Sequence, residues 1–284
     1  MRCLCLGICH IKGITEILRN TKSFTSIYDD IISHAVYEIT PDQMKDILEN
    51  IAPTADLIIS QPISDKYRNV DVFATTTLKR YIKKDARHII IPNCYFTGYD
   101  PKPYQLRDSS DQTVSVNGIS YIPYHCLNEL LAGDITKAVE KWNHPDLIDD
   151  LAIKNNYLST IGELKSREFK IFDTNYGVDI TISDFIENNY KEKLLFHTYN
   201  HPTNILLFEL TKRILIRLGI STSDIGTGIN RELIGDYGIP PVPCLYNKLG
   251  MTFKYPKFII DRKEYTTRDA FDIFSQTIRQ KDHL

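Results

Sequence analysis

Apolar positions in the first hundred residues fall into short unbroken runs, separated by stretches with a helical period. Arg2 to Ile8 is one such run and reads as a strand, after which Gly13 to Leu18 opens a helix. Thr40-Pro41-Asp42-Gln43 joins a threonine N-cap, a first-turn proline and a glutamine at the capping-box position, and predicts a helix ending near Asn50. Asp56 to Ser60 and Arg87 to Ile91 are apolar without alternation, the pattern of strands buried on both faces, and a helix over Val72 to Lys83 separates them. Strand, helix, strand, helix, strand predicts an α/β fold, a parallel sheet flanked by helices. Sites in such folds lie beyond the carboxyl ends of the strands.

The pattern then changes. Residues 92 to 124 read as a loop carrying Pro92, Pro101, Pro103 and Pro123, with an inserted β-hairpin where Val114 to Tyr121 alternates around Asn117-Gly118. So long an irregular connection points to function or mobility. Residues 125 to 169 have helical periodicity, with Pro145 at a first-turn position. Leu194 to Thr198 reads as a further buried strand. Pro202 to Leu218 reads as a helix whose wet stripe is Glu209, Arg213 and Arg217. Residues 219 to 256, rich in glycine and proline, read as a loop, and Lys257 to Glu264 as a strand. Thr267 would cap a last helix bearing Phe271, Phe274 and Ile278. With no repeat and no sharp linker, residues 1 to 284 are expected to form one domain. Its α/β core is about 1 to 100 plus 193 to 218, and its C-terminal half is helix-rich.

Composition removes several classes of function. Hydrophobic residues are 42% and charged residues 25% of the 284, an ordinary globular mix that excludes disorder. Lysine plus arginine (34) against aspartate plus glutamate (36) leaves a net charge of −2, which argues against nucleic acid. No apolar run reaches the roughly 18 residues of a membrane span. Polar His10 to Gly13 follows the first apolar run too soon for a secretory leader, so a cytoplasmic location is expected. Cys3, Cys5, Cys9, Cys94, Cys126 and Cys244 show no paired metal spacing and are expected as free thiols, Cys3 and Cys5 as buried apolar groups.

Four stretches carry candidate chemistry. In Gly7-Ile8-Cys9-His10 the cysteine falls where strand gives way to helix, where unpaired N–H groups and the helix dipole would lower its pKa. On spacing alone a packed thiol is the simpler reading, and His10 is a poor base because adjacent side chains point apart. Ser60 to Arg68 places Gln61, Ser64, Asp65, Tyr67 and Arg68 at a strand's carboxyl end, a set suited to a polyhydroxylated or phosphorylated ligand or to a helix cap. His197 to Asn204 holds His201 extended before Pro202, where it can serve as a general base or cap the helix. The four-residue spacing of His197 and His201 would suit a metal only on a helix, which Pro202 opposes. Pro92 to Pro101 carries Tyr95, Phe96 and Tyr99, able to stack on a ring, line a pantetheine-sized channel or fill a core. Gly226-Thr227-Gly228 lacks the strand and the lysine of a phosphate loop.

Gly7-Ile8-Cys9-His10, Gln61-Pro62-Ile63-Ser64-Asp65-Lys66-Tyr67 and Asn200-His201-Pro202-Thr203-Asn204 together resemble the WcbI family of polysaccharide-biosynthesis proteins, from the first strand to about Leu218. The resemblance implies transfer of an acyl group, acetyl by preference, from a coenzyme A thioester to a sugar or glycan hydroxyl in capsule or other surface-polysaccharide assembly. It implies Cys9 and His201 as catalytic residues. It also implies substrate or coenzyme contacts from Gly7, His10, Gln61, Ser64, Asp65, Tyr67, Arg68, Tyr95, Asn200 and Asn204. Lys79 and Arg80 could meet coenzyme phosphates or simply face water. The family often reads Gly-Asn-Cys-Gln at its first motif, whereas Ile8 and His10 stand here in place of the amides. Two other classes fit the residues: an SGNH-like esterase using Cys9 and His201 with water in place of the sugar, and a non-catalytic glycan- or nucleotide-binding subunit.

Overall fold

Apolar runs bounded by turn residues become the strands of a parallel sheet. The structure, a computed structural model, describes residues 1–107, 114–171 and 177–281. Strands β1 (Arg2–Gly7), β2 (Asp30–Ala35), β3 (Leu57–Ser60) and β4 (Arg87–Ile90) lie in the order β2-β1-β3-β4, all parallel. Their carboxyl ends line up, with Gly7 beside Ala35, Leu6 beside Ser60 and Ser60 beside Ile90. The strand order reverses at β1 and β3, which makes the ends of those two strands the topological switch point where open α/β sheets bind ligands.

Helices α1 (Cys9–Arg19), α2 (Lys22–Thr25), α3 (Pro41–Asp46) and α4 (Thr75–Tyr81) connect these strands. Leu4, Leu6 and Ile58 pack with Met44, Leu48 and Leu78 in one core, while Cys5 meets Thr15 of α1 on the other face. Helices therefore cover both faces, which is why β1 and β3 could be unbroken apolar runs. The capping box of α3 is present in full: the Gln43 N–H donates to Thr40 Oγ1 at 3.2 Å and Gln43 Oε1 accepts from the Thr40 N–H at 2.8 Å. A π-helical turn, Ile47–Ile51, prolongs that helix past Asn50.

Several expectations are corrected. The first helix begins at Cys9, and Gly13 lies inside it, because a Cβ there would meet Leu207 of the helix Asn204–Leu218 at 2.7 Å. β2 escaped notice because its burial is only partial and Asp30, Ser33 and His34 interrupt the apolar pattern. Pro145 sits in a turn ahead of the helix Asp150–Phe169. Lys257 to Glu264 is a hairpin, Phe258–Ile260 with Lys263–Tyr265, turning on Asp261 and Arg262 at φ 49° and 62°. Thr266, one residue earlier than expected, caps the last helix by accepting from the Asp269 N–H. Residues 219 to 256 include the strand Tyr237–Gly238 and the helix Pro243–Lys248. Of the stripe of Glu209, Arg213 and Arg217, the first two form an ion pair at 2.9 Å, extended by Asp184, and Arg217 is exposed to water as expected.

The chain divides into two compact units, each drawn from separate stretches. The first comprises Met1–Cys94, Glu163–Ile186 and Asn204–Ile234 and contains the parallel sheet. The second comprises Tyr95–Gly162, Glu187–Thr203 and Gly235–Leu284. Its core is aromatic: Trp142, Phe258, Phe271 and Phe274 are all buried, with Phe258 5.6 Å from Phe271 and 5.7 Å from Trp142. The hairpin expected around Asn117-Gly118 is there, Val116 pairing with Ile119, and Pro103–Gln105 pairs with Tyr121–Pro123 outside it. Residues 108–113, within the same 92–124 stretch, lie outside the described residues.

Candidate functional site

At the switch point β1 ends in Gly7, and Ile8 takes an extended conformation as the N-cap of α1. No side chain caps this helix, and the N–H groups of Cys9 and His10 in its first turn point at the Cys9 thiol. The N–H groups of Cys9 and His10 and the charge of Lys12 favour the thiolate, but burial outweighs them and pushes the thiol up to about 11. This corrects the expectation of a lowered pKa: a half-buried thiol loses more hydration than a few backbone dipoles return. Near neutral pH Cys9 is a thiol.

Gln61, at the end of β3, braces that turn. Its Oε1 accepts from the Ile8 N–H at 2.9 Å, while its Nε2 lies 3.1 Å from the Pro92 carbonyl and 3.0 Å from His10 Nδ1. The Ile8 N–H can only donate, so Oε1 must be the acceptor and Nε2 the donor; His10 Nδ1 then accepts, and the neutral ring carries its proton on Nε2. Both Gln61 and His10 are buried. Gly7 belongs to the same brace, since a Cβ on it would press against the pinned carboxamide of Gln61, 3.0 Å from Cδ.

The rest of the first motif cluster is anchored differently. Ser64 Oγ accepts from the Lys66 N–H at 3.1 Å and caps a turn, with Asp65 exposed beside it. Tyr67 packs edge-on against Phe73. Arg68, at φ 54°, turns its guanidinium inward to the carbonyls of Ile39 and Tyr37 at 2.9 and 3.0 Å. Asn204 bonds to the loop after its helix: its side chain donates to the Arg231 carbonyl and accepts from the Leu233 N–H. Among the described residues of this unit, Asn93 Oδ1 is a buried acceptor without a partner, while its Nδ2 donates to the Pro62 carbonyl at 2.8 Å. In the sequence Asn93 gives no sign of this, standing beside Tyr95, Phe96 and Tyr99 with no motif of its own.

The second unit holds Tyr95, Asn200 and His201. Tyr95 and Tyr199 stack with centroids 6.0 Å apart, and Tyr121 stands edge-on to Tyr199 at 5.1 Å and to His201 at 6.5 Å. Asn200 Nδ2 donates to the Tyr121 hydroxyl at 3.2 Å and its Oδ1 accepts from the Thr198 hydroxyl at 3.0 Å. His201 and Pro202 pair with Phe196–Thr198 as strand, which keeps His201 extended and off the helix, and His197 on a strand as well. The helix itself starts at Asn204. His201 Nδ1 is buried and has no hydrogen-bond partner among the described residues. Burial, with the like charge of His197, lowers its pKa to about 4 against the pull of Asp236, so the ring is neutral near pH 7 with a lone pair to accept a proton. No group of three or more potential metal ligands is found among the described residues. Nor is any described helix long and apolar enough to cross a membrane.

A parallel sheet with a cysteine at its switch point marks a site without naming its activity, and comparison with known proteins gives the class, a polysaccharide biosynthesis enzyme. Residues 2–223 match the model of the polysaccharide biosynthesis enzyme WcbI, and the chain belongs to that family. It is similar in fold to a solved structure of WcbI, described as a novel polysaccharide biosynthesis enzyme in its native form without a disulfide between coenzyme A and a cysteine. That likeness has a TM-score of 0.83 and 18% identity, covering 98% of this chain and 90% of the other. No curated protein matches the sequence.

Proposed function

We propose that this enzyme transfers an acyl group, acetyl by preference, from a coenzyme A thioester to a sugar hydroxyl. The observation that carries the reading is the Cys9 turn. There a thiol and the N–H groups of the first helical turn stand at the switch point of the sheet, the turn held by Gln61. The solved WcbI structure is described as the form without a disulfide between coenzyme A and a cysteine, and that pairing of coenzyme and cysteine in the relative's description supports a coenzyme site at the Cys9 turn. The residues fit a thioester: N–H groups for its carbonyl oxygen, and the Asn93 Oδ1 acceptor for an amide N–H.

The coenzyme, when bound as its thioester, supplies the acyl carbon and a thiolate leaving group. The N–H groups of the Cys9 turn stabilise negative charge developing on the carbonyl oxygen. His201 accepts the proton of the attacking sugar hydroxyl; in the alternative two-step route Cys9, once deprotonated, takes the acyl group and then passes it to the sugar. The high thiol pKa of Cys9 favours direct attack by the sugar, with Cys9 shaping the thioester site. Surface-polysaccharide assembly in the cytoplasm is the corresponding setting.

Mass spectrometry of reactions quenched after mixing with acetyl-coenzyme A, with and without glycoside acceptors, tests this. The expected result is an acetylated glycoside and free coenzyme A, reduced by about 10²-fold or more in His201→Ala. Coenzyme release at the same rate without any acceptor would favour the esterase reading instead.

A further inference from the structure

Asp100, in the second unit, is a buried carboxyl that the mechanism above does not use. It is 7% exposed. One oxygen accepts from the Lys102 N–H at 3.3 Å, and the other has no partner among the described residues. It lines a cavity of about 10 Å³ with Tyr99, Tyr121, His197, Thr198 and Tyr199. That is room for one water-sized group. A buried carboxyl oxygen without a partner is costly, and a single O–H placed in this hollow would give it one.

The position of the hollow favours a ligand. Tyr121 is shared: it walls the cavity and also stands edge-on to His201. A sugar offers C–H faces to aromatic rings such as Tyr121 and Tyr199 and hydroxyls to a carboxyl, the combination that a few placed polar groups among aromatics select. An anion would be repelled by the carboxylate, and a methyl group would leave the oxygen unsatisfied. We propose that the Asp100 cavity takes one hydroxyl of the sugar acceptor and so determines which neighbouring hydroxyl is presented to His201. The inference rests on the acyl-transfer reading for the identity of the acceptor. Burial lifts the Asp100 carboxyl to about 7, so near neutral pH it can either accept from or donate to that hydroxyl.

The test uses full-length protein labelled with ¹³C at aspartate carboxyls, Asp100→Asn assigning the Asp100 resonance. A panel of methyl glycosides of the common hexoses is titrated in. At least one glycoside is expected to shift the Asp100 resonance and its titration midpoint. With that glycoside as acceptor, Asp100→Ala and Asp100→Asn should raise the acceptor KM about tenfold or more and leave the acetyl-coenzyme A KM unchanged. The deoxy analogue lacking the bound hydroxyl should suffer the same loss with wild-type enzyme and no further loss with the variants. If no glycoside moves the Asp100 resonance, or if transfer proceeds with an unchanged acceptor KM in folded variants, the cavity holds only water and the inference is overturned. A glycoside that moves the resonance without any acyl transfer would overturn the transfer reading and leave the sugar subsite standing.

Discussion

Cys9 stands under two opposing influences, and their balance sets its reactivity. Helix N–H groups and Lys12 stabilise the thiolate, while burial opposes it and prevails. Alkylation of Cys9 by iodoacetamide, followed by peptide mass spectrometry, should therefore be slow near neutrality and rise about tenfold per pH unit toward pH 11. A plateau reached below about pH 8 would show instead that the helix terminus dominates. Gln61 is the other decisive residue. Gln61→Leu strands the Ile8 N–H and His10 Nδ1 inside the fold, and should cost about 1–3 kcal/mol in urea unfolding while disordering the Cys9 turn. Gly7→Ala, which collides with the same carboxamide, should cost a similar amount.

Elements set by local sequence were the legible ones. Thr40 to Gln43 announced a helix start because a capping box is complete within four residues, and Thr40→Ala should remove about 1 kcal/mol of thermal stability. A larger local effect is expected at Glu168, whose buried carboxylate accepts from the N–H groups of Ile182 and Ser183 and from the Ser183 hydroxyl. Glu168→Gln should cost about 2–3 kcal/mol by chemical denaturation; no loss would mean the amide satisfies the same donors. β1, β3 and β4 could be read because strands covered on both faces are apolar throughout. The half-buried β2, with Asp30, Ser33 and His34, gave no such signal. Gly13 read as a helix start since its reason for being glycine, the approach of Leu207, lies 194 residues away. Within the site, Cys9 at the strand–helix junction was visible in order along the chain. The brace from Gln61 to Ile8 was not, because it spans 53 residues, and neither was the burial that reverses the expected shift of the thiol. Asp100 carries no signal in the sequence; only its enclosure by Tyr121 and His197, far along the chain, gives it meaning.

At the scale of the whole molecule, buried titratable groups shape stability against pH. Asp100 holds its proton up to about 7 in the folded chain against an ordinary 3.8, so the folded state binds a proton that the unfolded state releases across that window. Stability from this group is present below about pH 4 and is lost as pH rises through 7. His201 acts oppositely: lowered to about 4, it destabilises the fold as pH falls from the usual histidine range. Comparing Asp100→Asn with wild type isolates the first effect. The surroundings of the carboxyl, His197, Tyr99, Tyr121 and Tyr199 in the cavity wall and Tyr237 and Cys126 nearby, are common to both proteins. The variant should gain at most about 4 kcal/mol over wild type near pH 8, with the gain vanishing near pH 4. A pH-independent difference in thermal unfolding would contradict this.

The central claim is that a coenzyme A thioester is the acyl donor at the Cys9 turn. Calorimetric titration of the full chain with coenzyme A and acetyl-coenzyme A, alongside Cys9→Ala and His201→Ala, tests it most directly. Micromolar binding of both compounds that survives either substitution is the predicted result, leaving the two side chains free for chemistry. Absence of binding to either compound would contradict the account and place the esterase and the glycan-binding subunit ahead of the transferase.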